Sequence, residues 1–193
     1  MRANAILVAA VLGLQSASPV YVLVRTELGD FEIAIDVARA PVTAANFLKY
    51  VDGRDYDGGA FHRTVTMANQ PSDEAQIEVI QASISAVRNG DRFPAIPLER
   101  TSATGLRHLD GTISMARGAP PDSGRSDFFI CIGDQSSLDF GGTRNKDGQG
   151  FAAFGRVTRG MDVVRKIHAA PNDDAQRLTP PIRILSISRL EAP

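Results

Sequence analysis

The sequence predicts a mainly β fold: an antiparallel barrel with helices over its open ends. Three features point there. About eight short runs have strand-like patterning, only two segments carry a helical stripe, and no repeat or linker divides the 193 residues. A chain of this length is a single domain of ordinary size, able to bury a sizeable core.

The first two runs, Tyr21-Val-Leu-Val-Arg-Thr-Glu27 and Phe31-Glu-Ile-Ala-Ile35, flank Leu28-Gly-Asp30, and that Gly-Asp turn makes them a hairpin. The second run alternates apolar with polar or small residues, as a half-buried strand does. Pro41 opens a helix over 42–51, with Ala44, Phe47, Leu48 and Val51 on one face, and Gly53 ends it. Residues 61–65 form a strand, whereas the polar, turn-rich 67–76 reads as an exposed loop. Alternation resumes over 77–84, Pro94 and Pro97 interrupt the chain, and strands return at 111–117 and 127–132. The glycine-rich loop 141–150 leads into a strand over 151–157. Met161, Val164, Ile167 and His168 mark a second helix over 161–168, and a strand over 182–190 closes the chain.

Composition excludes several classes of function. A formal net charge of −1 gives no electrostatic footprint for nucleic acid. Cys131 is the only cysteine, so an intramolecular disulfide is impossible; its apolar run, Phe128-Phe-Ile-Cys-Ile132, favours a buried thiol over a nucleophile. Three scattered histidines give no metal-ligand spacing. No Gly-x-Ser-x-Gly elbow supports a serine hydrolase. Loop 141–150 lacks the Gly-Lys-Ser/Thr ending of a phosphate cradle. Read as a calcium loop it puts Phe154 where a bidentate Glu belongs, so it is expected to be a solvated loop.

The N-terminus has the layout of a secretory signal over residues 1–18, ahead of a domain over 20–191. Arg2 precedes an apolar run at 5–14, too short to span a bilayer, and then the small polar stretch Gln15-Ser-Ala-Ser18. A first strand or a hydrophobic tail is the alternative. Pro19 disfavours a cut directly after Ser18 and leaves a neighbouring bond. The expected location is periplasmic or secreted, with no stable membrane insertion once the signal is removed.

The chemistry concentrates in two places. Phe61-His-Arg63 lies in one strand-like run. Gly111-Thr-Ile-Ser-Met-Ala-Arg117 and Phe128-Phe-Ile-Cys131 flank a loop over 118–126 that is rich in Gly, Pro, Ser and charge. Together they read as a groove on a β-scaffold, floored by an aromatic ring and armed with one guanidinium. Such a groove suits binding a proline and acting on the peptide bond before it. Taken alone, Arg63 reads as a surface arginine in an ion pair.

The wider pattern changes that reading. Phe61-His-Arg63, Gly105-Leu-Arg, Ser114-Met-Ala-Arg117, Ser126-Asp-Phe-Phe-Ile130, Leu138-Asp139 and Phe154-Gly-Arg-Val157, in this order, resemble the cyclophilin family of peptidyl-prolyl isomerases. The resemblance runs from about Tyr21 to Leu190. It implies an eight-stranded, closed antiparallel barrel capped by two α-helices, with a groove across one outer face. It implies Arg63 as the catalytic residue, Gln81 as a contact to substrate backbone, and Phe129 as the floor of the proline pocket. Ala116 and Arg117 match positions whose backbone can pair with a substrate strand, and Leu138 matches the pocket's aliphatic wall. His62 either shapes the groove or is a core or hydrogen-bonding histidine. Phe128 or Phe129 must face the barrel interior, because neighbours on a strand face opposite ways.

Several positions depart from the family pattern. Glu78 and Val79 replace an aromatic and a methionine of the pocket, Asp127 stands for a glutamine, and Ser137 for an aromatic. Phe151 stands in the groove where a histidine or tyrosine is frequent, and loop 141–150 is an insertion. Asp127 is expected to orient Arg63. The partners implied are proline-containing unfolded or folding polypeptides, bound by a monomer without a cofactor. The rival reading, favoured by the altered wall, is a catalytically weak peptide-binding or chaperone module on the same barrel.

Overall fold

The computed structural model describes residues 18–70, 75–85 and 92–190. The expected signal, apart from Ser18, lies outside the described residues, as do positions 71–74 of the loop expected over 67–76. Eight strands form the barrel: β1 (Val20–Thr26), β2 (Gly29–Ile35), β3 (Ala60–Val65), β4 (Val79–Ser83), β5 (Thr112–Met115), β6 (Phe128–Cys131), β7 (Ala152–Arg159) and β8 (Arg177–Arg189). They pair antiparallel and close in the order β1-β2-β7-β5-β6-β4-β3-β8. Closure leaves no unpaired strand edge.

Two longer helices, α1 (Pro41–Asp52) and α3 (Met161–His168), turn their apolar faces onto the barrel, as expected. A one-turn helix, α2 (Thr101–Thr104), carries no apolar stripe and escaped the sequence pattern. Pro41 occupies the first turn of α1, where a missing N–H costs nothing. The open donors of that turn are satisfied from a distant loop: Val42 and Thr43 N–H donate to the two Glu99 carboxylate oxygens at 3.0 and 2.7 Å.

Burial divides into two packed bodies. The larger fills the barrel and underlies the helices. Its centre is Phe47, whose ring lies 5.3–5.4 Å from those of Tyr56, Phe128 and Phe154. The smaller lies on the outer face of β3, β4 and β6 and joins Val65, Ile77, Val79, Phe129, Cys131 and Leu138. Alternation along β6 explains the split, with Phe128 and Ile130 inside and Phe129 and Cys131 outside. Burial pushes the Cys131 thiol well above its usual range, with nearby carboxylates adding to the shift, which suits an inert packing group.

β8 begins five residues before the expected 182–190. Pro180 and Pro181 argue against a strand there, but both fall between the paired positions Arg177 and Ile182, where the β3 ladder is interrupted.

Candidate active site

The site is built on that interruption. In a regular strand Phe61 and Arg63, two residues apart, face the same side. Here the register shifts between them against both β4 and β8, a bulge at His62. Phe61 is therefore sealed in the barrel while Arg63 and Val65 face outward. The outward residues of the neighbouring strands continue the row, with Arg63 opposite Gln81 and Gln81 opposite Phe129.

Two neutral carboxamides hold the Arg63 guanidinium. Gln81 Oε1 accepts from Nη1 at 3.0 Å, and Gln176 Oε1 accepts from Nε at 3.0 Å and Nη2 at 2.5 Å. Gln176 is itself fixed by donating Nε2–H to Asn69 O at 3.0 Å. Among the described residues no carboxylate pairs with Arg63, so its positive charge is oriented without being neutralised. Burial, and then the like charge of Arg144, lower its pKa from the usual arginine value, but a guanidinium remains protonated.

Arg63 opens into a cavity of about 290 Å³ that it shares with Phe129. Ile77, Val79 and Leu138 form apolar wall, and Gln81, Ala116 and Arg117 border it. Phe151 stands edge-on to Phe129, ring centroids 5.3 Å apart and planes at 87°. Behind Phe129, His108 stacks at 6.0 Å and 14°. His108 Nδ1 meets Asp139 Oδ1 at 2.7 Å and its Nε2 meets Ser114 Oγ at 2.9 Å. This Ser–His–Asp line resembles a hydrolase triad, but Ser114 is 0% and His108 1% exposed. Its work is to brace the ring.

A second hollow of about 330 Å³ adjoins the first through Gln81, Ala116 and Arg117, and extends to Ser123, Ser126 and Asp127. Helix α1 and the turn after it steady its wall: the Asn46 side-chain amide donates to Arg125 O, while Tyr56 O–H donates to Ser126 O at 2.6 Å.

With the geometry in hand, comparison decides the family. Residues 21–189 match the family model for cyclophilin-type peptidyl-prolyl cis-trans isomerases. The chain belongs to that family. It is 35% identical over 167 residues to peptidyl-prolyl cis-trans isomerase A of Dickeya dadantii, covering 83% of this chain and 80% of that one. An Acinetobacter baylyi peptidyl-prolyl cis-trans isomerase is 34% identical over 147 residues, 76% of this chain and 71% of that one. A crystal structure of a Cryptosporidium parvum cyclophilin superposes with a TM-score of 0.72 at 20% identity, covering 91% of this chain and 99% of that chain, which supports the fold.

Within this cyclophilin frame the expected site residues separate into groups. Arg63, Gln81, Ala116, Arg117, Phe129, Leu138 and Phe151 converge on the first cavity, and Asp127 lies in the second. His62 lines neither hollow, and its Nδ1 is buried without a partner. Ala116 N–H already donates to Asp127 O at 2.9 Å, so a substrate strand can pair there only through the carbonyl. Asp127 does not contact Arg63 directly. Its Oδ2 accepts from Gln81 Nε2 at 3.5 Å, and Gln81 in turn holds Arg63, so any orienting effect is relayed. Burial raises the Asp127 pKa, opposed by His62 and by hydrogen bonds from Gln81 and Ser126.

Sequence reading missed four contributors: Gln176, His108, Arg144 and Asn145. Gln176 and His108 lie outside the apolar patterns. Arg144 and Asn145 belong to loop 141–150, which reads as plain solvated turn but is tied down. Arg117 Nη2 donates to both Asp147 carboxylate oxygens at 2.9 Å and Nε to Gly150 O at 2.9 Å, with the guanidinium 5.3 Å over the Phe151 ring.

Proposed function

We propose that this chain is a peptidyl-prolyl isomerase that rotates X-Pro bonds in polypeptides folding after export. The observation that carries the reading is Arg63, charged, fixed by neutral acceptors, and facing the same cavity as the Phe129 ring. Amide resonance drains the nitrogen lone pair and sets a rotational barrier of about 18–20 kcal/mol. Twisting decouples nitrogen from carbonyl and makes the nitrogen a hydrogen-bond acceptor. A proline ring seated on Phe129 brings that nitrogen toward a guanidinium that binds the twisted state better than either planar isomer. Differential binding of that kind lowers the barrier, with about tenfold in rate per 1.36 kcal/mol. The rotation makes and breaks no covalent bond, so it requires no cofactor.

The test is exchange NMR on a short Ala-Pro peptide. Arg63→Ala is expected to cut kcat/KM by about a hundredfold or more, the scale of losing one pre-organised donor, while thermal unfolding changes little. Equal rates in both proteins would remove Arg63 from the mechanism. A catalytically inert binder would shift the peptide signals without exchanging cis and trans.

Export is supported by Arg2, the apolar run at 5–14 and the small residues before Pro19. Expression with a periplasmic fractionation is expected to yield a product shortened by about the first 18 residues, the span of a short secretory signal. Full-length protein retained in the cytosol would count against export and leave the isomerase reading intact.

A further inference from the structure

We propose that Asn69 positions the catalytic guanidinium: its carboxamide sets the turn after β3, and that turn holds Gln176 against Arg63. The inference rests on the isomerase reading and adds a positioning residue to it.

The link from Asn69 to Arg63 runs through Gln176. Gln176 presents Oε1 to Nε and Nη2 of Arg63 and donates Nε2–H to Asn69 O at 3.0 Å. A carboxamide has two ways round, and only one of them turns its oxygen toward the donors of Arg63. The Asn69 carbonyl, an acceptor, selects that one. Its place therefore decides where the oxygen that steers Arg63 sits.

The Asn69 side chain holds that carbonyl still. Its Oδ1 accepts from Thr66 N–H at 2.8 Å, while Nδ2 donates to Thr64 O at 3.0 Å and to Asn172 Oδ1 at 2.8 Å. The Asn69 N–H returns to Thr66 O at 3.3 Å, closing the turn. Half-buried Asn69 thus joins the end of β3 to the segment that leads into β8. Thr64, directly after Arg63, is the shared anchor: its N–H donates to Gln176 O at 2.9 Å, and its carbonyl takes the Asn69 amide. The backbone of Arg63 and the group that steers its side chain are referred to one frame. A frame set before the imide bond twists spares reorganisation as it rotates. Asn69 lies outside the lining of the proline cavity, so loosening the frame leaves the seat on Phe129 in place.

The experiment measures kcat and KM on an Ala-Pro peptide, together with nitrogen NMR relaxation of the Arg63 Nε–H. Asn69→Ala is expected to lower kcat by about fivefold, the rate equivalent of one hydrogen bond, at a KM within about twofold of wild type. The Arg63 Nε–H is expected to become more mobile on the nanosecond scale. The double variant Asn69→Ala/Gln176→Ala is expected to be as slow as Gln176→Ala and no slower, because the two residues act in series. A purely structural Asn69 would lower the melting temperature and leave kcat and the Nε–H order at wild-type values. That result overturns the proposal and spares the isomerase. Losses that multiply in the double variant overturn it as well, by giving Asn69 a separate route. No exchange by the wild-type protein fails the isomerase reading itself. If Asn69→Ala does not fold, Asn172→Ala decides, at an exposed position that supplies one of the Asn69 acceptors. A lowered kcat at unchanged KM then upholds the relay, and an unchanged kcat overturns it.

Discussion

Arg63 is effective because of what holds it. Acidic partners would give a tighter clamp, but they would pair away the charge that the imide nitrogen needs; Gln81 and Gln176 fix the fork and leave the charge intact. Gln176 is kept in place at some conformational expense: its φ is +66°, in the left-handed region where a non-glycine residue is uncommon. Backbone contacts enforce it, with Thr64 N–H donating to Gln176 O and Gln176 N–H to Asp173 O, both at 2.9 Å. Gln176→Ala is expected to lower kcat/KM by about tenfold, the scale of one lost hydrogen bond to a charged group. Gln176→Glu is expected to lower it further, because the new carboxylate competes with the substrate nitrogen. Steady-state kinetics on one peptide checks both, and a glutamate variant more active than the alanine variant would refute the role given to neutral acceptors.

At the scale of elements, one inserted residue determines which face carries the chemistry. The bulge at His62 lets β3 send Phe61 inward and Arg63 outward. Deleting His62 makes Phe61 and Arg63 neighbours in a regular strand, so they still face opposite sides, as their partners Ala82 and Gln81 do. The deletion is therefore expected to cost about 0.5–3 kcal/mol, the range of an ordinary local change, rather than the roughly 3–5 kcal/mol of evicting a buried phenylalanine. His62→Ala keeps the bulge and is expected to fall in the same range; denaturant unfolding checks both, and a collapse of the fold on deletion alone would show that the extra residue itself is required. This parity change is invisible in the sequence, where Phe61-His-Arg63 reads as ordinary alternation. The first hairpin is plainly legible, since β1 and β2 alternate buried with more exposed positions. Phe128 and Phe129 were not separable, because both are apolar; the pairing of Gln81 with Phe129 and Ile80 with Ile130 decides their faces. Pro180 and Pro181 hid the start of β8, and polar turn composition hid the inward side of loop 141–150.

At the scale of the whole molecule, floor and wall of the groove answer acid in opposite directions. Burial pushes Asp139 up, but the ring and backbone donors of His108, with Arg107, outweigh it and hold its pKa below the usual carboxylate value. Asp139 therefore stabilises the fold above the ordinary carboxylate pKa of about 3.9, and that contribution is lost as pH falls through its lowered value. Asp127 has a raised pKa, chiefly through burial, so its ionisation opposes folding and protonation relieves the cost. Protection of the His108 amide, which donates to Asp139 Oδ1 at 3.1 Å, is expected to persist through the ordinary carboxylate range and to fall selectively only at the lower pH where Asp139 protonates. Hydrogen exchange against pH reads this directly, and uniform loss at every amide would instead indicate global unfolding.

The separation of the barrel filling from the outward cluster over β3, β4 and β6 has an evolutionary corollary. The two bodies share a backbone but use alternate side chains of it, so selection can act on one set without repacking the other. Val79 and Phe151 belong to the outward set, so a change there alters what the groove presents and leaves the barrel filling in place. A barrel built this way can accept changes in its groove while its filling keeps the fold.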